Sequence, residues 1–349
     1  MKRFIAITIL AAMLLGAAGC ADKRQTANAD PTNIPTQSAT EAPTAAPTEA
    51  PTPEPTATPA PKLLDFDDCA ELVCTLPWGQ SELEVYCSPG NESEGTIPLD
   101  FFVDSGEIWI FDQHGLPDMG FIVYDLETGG VSRTTVAEDD DTHFYIRTRF
   151  AVYDGKLVGQ RCVCELDTGE RYLLQPLVFI QEGSEDDYLR LFQIREGGLY
   201  AYIGYVRYGY EPNMEDLTEY VFDPENMMWS PVRKILESGG KDEFVFTEGG
   251  FRIPRGYYIG QDNDGNHYLQ SSESYKDADG TLHSPQVILK YAPDGHLISK
   301  LSFDPFGGCF GEDMKDYPAP YRFSLVTEDG TVWLMLNLES GLRIYKVNM

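Results

Sequence analysis

Histidine and basic residues are scarce in this chain, and their scarcity removes several chemistries at once. Five histidines, His114, His143, His267, His283 and His296, occur among 349 residues. None stands in a paired zinc motif such as His-Glu-x-x-His. No Gly-x-Ser-x-Gly elbow presents a nucleophilic serine, and no glycine-rich loop ends in Gly-Lys-Ser/Thr to cradle a phosphate. Lys and Arg number 26 against 56 Asp and Glu, a formal net charge of −30. Binding to nucleic acid needs clustered cations, so it is excluded. Adsorption to anionic lipid heads is disfavoured for the same reason. The acidity serves solubility and self-repulsion; used functionally, it would attract cations or basic partners. Carboxylates are plentiful, but nothing in their spacing locates a paired acid and base. No catalytic signature is found.

Long apolar runs are also missing, with one exception. Lys2 and Arg3 precede fifteen uncharged, mostly apolar residues, Phe4 to Ala18. That is the basic and apolar pattern of an export signal, and it is too short for a comfortable membrane span of about 20 residues. It ends Leu14-Leu15-Gly16-Ala17-Ala18-Gly19-Cys20. Small residues before a cysteine at this depth resemble a bacterial lipoprotein lipobox, with Ala17 where the usual leucine stands. The resemblance implies that residues 1–19 are a signal peptide cleaved before Cys20 and that the Cys20 sulfur carries a lipid. It places the protein at the outer face of the cytoplasmic membrane, held there through Cys20.

Residues 20–62 contain a single large apolar residue, Ile34, so nothing there can offset the entropy of folding. Pro31, Pro35, Pro43, Pro47, Pro51, Pro53, Pro55, Pro59 and Pro61 alternate with Thr, Ala and Glu. The spacing predicts a disordered, extended polyproline II tether reaching roughly 130 Å at full stretch. It resembles the Pro/Thr-rich linkers of Gram-positive surface lipoproteins. Dense threonine also suits an O-glycosylated stalk.

Residues 63–349 read as strands and turns. Aromatics are 12% of the chain, with 32 Gly and 23 Pro, a mix that suits a turn-rich β domain. Five places look alike: Asp104-Ser105-Gly106, Asp154-Gly155, Glu196-Gly197-Gly198, Asp264-Gly265 and Asp329-Gly330 each precede a short apolar run. Such turns between β-branched and aromatic runs are the strongest local hairpin signal. A period of 40 to 50 residues with four short strands is that of a β-propeller. Two longer intervals imply insertions near Glu211 to Asp216 and Ser271 to Ser284. Propellers hide their edges when one terminus completes the other's blade, so Glu82 to Tyr86 is expected to pair with the sheet holding Leu342 to Val347. A β-sandwich or two smaller β domains is the second architecture.

Three stretches, Leu76-Pro77-Trp78-Gly79, residues 98–112 and Lys290-Tyr291-Ala292-Pro293-Asp294-Gly295-His296-Leu297, resemble bacterial six-bladed propellers of the NHL-repeat type. The Asn-His-Leu tripeptide itself is missing. The resemblance implies an all-β propeller of six blades, with five and seven also compatible.

Asp262-Asn263-Asp264-Gly265 and Asp277-Ala278-Asp279-Gly280 look like fragments of calcium loops. An EF-hand needs an oxygen ligand first and Glu twelfth; here those places hold Gly260 and Ser271, and Tyr275 and Gln286. Hairpin turns explain both. Calcium bound by Glu138-Asp139-Asp140-Asp141 or Glu185-Asp186-Asp187 is the one cofactor left open. Cys69, Cys74, Cys87, Cys162, Cys164 and Cys309 allow fifteen disulfide connectivities outside the cell, and buried thiols are an equal reading. Cys162 and Cys164 face the same side of a strand. Two aromatic segments are candidate recognition loops: Tyr205, Arg207, Tyr208 and Tyr210 in one, Phe306, Phe310 and Tyr317 in the other. Exposed rings there would stack on sugar faces or on a partner's side chains; buried, they would fill space between blades.

The leading expectation is thus a lipid-anchored surface propeller that binds a protein or glycan without catalysis. The rivals are an exported propeller enzyme acting on carbohydrate or a lactone, with or without a metal, and a scaffold subunit of a surface complex.

Overall fold

The computed structural model describes residues 59–349 except 80, 82, 86–97, 99, 113–118, 137–148, 160–161, 175–186, 208–212, 240–242, 255, 277, 281, 284, 304–323 and 339. The chain enters through β1 (Lys62–Asp65), the single turn α1 (Phe66–Cys69) and β2 (Ala70–Leu76). The Asp65 carboxylate caps that turn by accepting from Asp67 N at 3.1 Å.

Five sheets follow, each begun by a hairpin at one of the five sequence markers. The first is β3 (Phe101–Asp104), β4 (Glu107–Asp112), β5 (Met119–Asp125) and β6 (Val131–Val136). The second is β7 (Phe150–Tyr153), β8 (Lys156–Gly159), β9 (Cys162–Glu165) and β10 (Arg171–Leu173). The third has six strands: β11 (Asp187–Arg195), β12 (Gly198–Arg207), β13 (Asn213–Asp223), β14 (Met228–Ser238), β15 (Glu243–Phe246) and β16 (Arg252–Pro254). The fourth is β17 (Tyr257–Gln261), β18 (His267–Ser272), β21 (Gln286–Tyr291) and β22 (Leu297–Phe303). The small hairpin of β19 (Tyr275–Lys276) and β20 (Leu282–His283) fills the excursion between β18 and β21. The fifth is β23 (Ser324–Val326), β24 (Thr331–Leu338) and β25 (Gly341–Asn348).

The first three hairpins share one turn geometry. Ser105-Gly106, Asp154-Gly155 and Glu196-Gly197 all have positive φ at both central residues, from 51° to 83°. That mirror-image turn matches the twist of the flanking strands, and glycine at its second place makes it affordable.

Apolar residues on both faces of the sheets then close a ring. One cluster joins sheets one, two and three through residues such as Phe121, Phe150 and Phe192. A second joins three to four through Phe244, Tyr258 and Leu289. A third joins four to five through Ile288 and Leu334. The last joins five back to one through Met335 and Ile110. Each sheet is covered on both sides only because the fifth meets the first. The fold is therefore a β-propeller of five blades. The expectation of six came from the family resemblance, whereas the five marker turns gave the true number; the extra length in blade three is the hairpin β15–β16 and the long strands β12 to β14.

The N-terminal strands complete two blades. β2 pairs antiparallel with β25, from Ala70↔Val347 to Leu76↔Leu342, and supplies the outer strand of blade five. β1 runs parallel to β22 and adds a fifth strand to blade four. Closure by the N-terminus occurs as expected, but through Glu71 to Thr75 rather than Glu82 to Tyr86. Val85 instead makes an isolated bridge to Trp78. Between the two strands, the ring of Phe66 is buried against Phe303 of blade four and Tyr345 of blade five, at 5.3 and 5.2 Å between centroids. Burying a Phe side chain is worth about 1.5–3 kcal/mol, so this ring pins α1 across the seam. Cys69, Cys74 and Cys164 are free thiols, and burial raises the Cys74 thiol to about 12. Cys162 and Cys164 are both buried on β9.

Candidate functional site

The inner hairpin turns gather on one face of the ring. Tyr153 Oη donates to Gly197 O at 2.8 Å, linking blades two and three. Glu196 N donates to the Glu328 carboxylate at 2.9 Å, and Asn263 N donates to Glu328 O at 2.8 Å, tying blades three and four to five. On this face a cleft of about 570 Å³ opens between blades three and four, within the range of small-ligand sites.

Strand register builds its floor. Tyr202 on β12 lies opposite Glu219 on β13, and Glu219 lies opposite Arg233 on β14. The Glu219 side chain is fully buried, and a buried carboxylate persists only when paired and hydrogen-bonded. Its Oε1 accepts from Tyr202 Oη at 2.8 Å and meets Arg195 Nη2 at 3.0 Å. Its Oε2 accepts from Arg233 Nε at 2.9 Å. Gln261, at the end of β17, crosses the cleft: its Oε1 accepts from Arg195 Nη1 at 2.7 Å and from Arg233 Nη2 at 2.8 Å. Arg233 Nη1 reaches the exposed Glu248 at 2.8 Å, and the Arg195 guanidinium lies 4.5 Å over the Tyr200 ring.

Gln193 fastens this floor to the ring. Its Nε2 donates to Gln261 O at 2.7 Å and to Val326 O at 3.1 Å, spanning blades three, four and five. Such an approach requires glycine at position 260, where φ is +136° and an added Cβ would lie 2.9 Å from Gln193 Nε2.

The charges are locked in place. Burial alone would lower the Arg195 value, but the oxygens of Tyr202 and Glu219 outweigh it and hold the guanidinium above its ordinary range. Burial, then Tyr258 and Glu219, push the Tyr202 phenol well up. His267, behind the floor, contacts Tyr258 Oη at 3.2 Å and packs on Phe246 at 4.3 Å. Burial, Arg233 and Arg195 bring its pKa down to about 3 against the opposing pull of Asp262.

The fourth marker turn forms the far wall. Asp262 Oδ1 accepts from Asn266 N at 2.8 Å and Asp264 N at 3.1 Å. Its Oδ2 accepts from Asn266 Nδ2 at 2.8 Å and Tyr268 Oη at 2.9 Å, with Lys290 Nζ at 3.3 Å. Burial works against ionisation, yet these donors hold its pKa below the usual carboxylate range. Both oxygens are committed to protein donors, which fits a turn better than a cation ligand. Among the described residues no group of three or more His, Cys, Asp or Glu is placed to hold a metal.

None of the candidate recognition residues read from sequence is among the residues lining the cleft. Tyr205 and Arg207 belong to β12, where their backbones pair with Asp187 and Asn213. Their side chains lie outside the described residues, as do Tyr208, Tyr210, Phe306, Phe310 and Tyr317. Cys20, the tether up to residue 58 and the acidic side chains at 138–141 and 185–187 are likewise outside the described residues. Sequence reading missed Arg195, Glu219, Arg233 and Gln261. The available signal was a charge at an inward position of a long strand, as in Leu217-Thr218-Glu219-Tyr220-Val221.

No protein-family model and no curated protein matches the chain. Among solved structures it is similar to a member of the DUF4221 family from Bacteroides vulgatus, at 12% identity and a TM-score of 0.34, covering 80% of this chain and 98% of that one. It is also similar to the β-propeller domain of the Trilobed protease from Pyrococcus furiosus, described as having an open velcro topology, at 11% identity and a TM-score of 0.34, covering 75% and 82%. A third is MPT-1, a GDP-Man-dependent mannosyltransferase from Leishmania mexicana, at 12% identity and a TM-score of 0.30, covering 79% and 89%.

Proposed function

We propose that this protein is a lipid-anchored, extracytoplasmic binding propeller that presents the cleft between blades three and four to a protein or glycan partner. The anchoring half rests on the lipobox-like run ending at Cys20 and on the proline-rich tether after it. The binding half rests on one observation: both oxygens of the buried Glu219 are engaged, Oε1 by Tyr202 and Arg195 and Oε2 by Arg233. A general acid or base must reach the proton it moves. Glu219 is instead the clamp of a rigid floor, and the neighbouring imidazole is enclosed and neutral near pH 7. Preorganised donors and acceptors around a small cavity suit recognition.

Growing bacteria that express the full chain are fed an alkyne-tagged fatty acid. Label is expected on the membrane fraction and lost in Cys20→Ser; full-length chain with an uncut N-terminus in the cytosol sinks the anchoring. For the binding half, the purified chain is incubated with oligosaccharides and lactones, with and without calcium or zinc. Unchanged compounds are expected, and turnover that follows the purified chain through successive columns establishes the enzyme rival instead.

A further inference from the structure

We infer that the cleft between blades three and four is a site for an uncharged, hydroxyl-rich glycan. This deepens the binding reading above and rests on it. The walls offer groups with hydrogen-bonding capacity to spare: the remaining N–H groups of the Arg195 and Arg233 guanidiniums, the amide of Asn263, and the carboxylates of Glu248 and Asp264. A sugar hydroxyl both donates and accepts, so neighbouring hydroxyls are met by alternating donors and acceptors of this kind.

Charged ligands fit less well. An anion needs an uncompensated cation. Both guanidiniums already meet Glu219, and Arg233 also holds Glu248. A lysine or arginine side chain entering from a partner would pass the exposed, water-screened carboxylates of Glu196 and Asp264 and then face, at the floor, those same guanidiniums. Their field already disfavours a proton on His267. An uncharged ligand avoids both penalties and uses the remaining lone pairs and N–H groups.

The lining also carries apolar surface. Val232 on β14 is 49% exposed although it sits mid-strand beside Arg233. With Pro293 and the half-buried Tyr200 ring, it can take the C–H face of a pyranose. The floor is fixed beforehand by Gln193, Gln261 and Glu219, so little ordering is left for binding to supply.

The test is calorimetry on the detergent-solubilised full chain. The probes are neutral gluco-, manno-, galacto- and xylo-oligosaccharides, a short poly-lysine peptide and inorganic phosphate. At least one neutral oligosaccharide is expected to bind, with an affinity unchanged between about 50 and 500 mM salt. Glu248→Ala and Asn263→Ala, both at exposed turns, are expected to weaken it on the order of tenfold while leaving the melting temperature unchanged. Absence of binding by every neutral probe overturns the inference, as does binding that both variants leave intact. Salt-sensitive binding of poly-lysine or phosphate that both variants abolish overturns the glycan assignment but keeps the binding propeller. Turnover of a bound oligosaccharide does the reverse, keeping the sugar in the cleft and removing the non-catalytic reading.

Discussion

Acid should destabilise this ring through one imidazole. His267 is held neutral by burial and by Arg233 and Arg195, with a folded-state pKa of about 3, against about 6.5 in an unfolded chain. A depressed histidine leaves the folded state unprotonated while the unfolded chain takes up a proton. Its contribution is therefore complete above about pH 6.5 and is lost as pH falls from there towards 3. Each unit is worth about 1.4 kcal/mol, so the loss is about 2 kcal/mol by pH 5 and about 3 kcal/mol by pH 4. Other groups add acid sensitivity, including Asp262, whose lowered pKa withdraws stability over a more acid range. The comparison that isolates the imidazole is wild type against His267→Asn, whose side chain can still meet Tyr258 Oη. Urea unfolding at about pH 7.5, 5 and 4 gives both stabilities at each pH. The variant starts lower because of lost packing, and its curve should be flatter by the amounts above. Parallel pH dependences for the two proteins would refute the reasoning.

Two further perturbations probe the floor and the closure. Glu219→Ala strands the buried Arg195 guanidinium and the half-buried one of Arg233 and should cost about 3–5 kcal/mol, whereas Glu219→Gln keeps the shape and part of the hydrogen bonding and should cost about 1–3 kcal/mol; equal losses in urea titrations would mean that the charge is not what holds the floor. A chain beginning at Pro77 lacks β1, α1 and β2 and exposes the edges of β22 and β25. It should be insoluble or melt without a cooperative transition, and a soluble protein with one sharp transition would contradict closure by these strands.

The repeat was legible because its turns obey local stereochemistry. Ser105-Gly106, Asp154-Gly155 and Glu196-Gly197 need left-handed backbone whatever the surroundings, and each marks the first hairpin of a blade. Blade number was present in the same markers, but a family resemblance outweighed the count. The closing strand was harder. Glu71-Leu72-Val73-Cys74-Thr75 and Glu82-Leu83-Glu84-Val85-Tyr86 have similar alternation, and local pattern does not say which of two spare segments reaches β25. The parallel pairing of β1 depends wholly on β22, far along the chain. The cleft was least visible, because Arg195, Tyr202, Glu219, Arg233 and Gln261 come from different strands and only register assembles them. The aromatic segments drew attention because composition is readable where cross-strand geometry is not.

The route by which the chain enters the ring has a mechanical consequence. Tension on the chain ahead of Pro59 arrives first at β1, a four-residue strand with one neighbour, and only then at the seven-residue β2. Stripping β1 leaves every blade its other strands. Straightening the four-residue α1 next releases about 8 Å of slack, since each helical residue lengthens from about 1.5 to about 3.4 Å. β1 and α1 thus act as a fuse and shock absorber in series, yielding before a pull can unfasten β2 and open the ring.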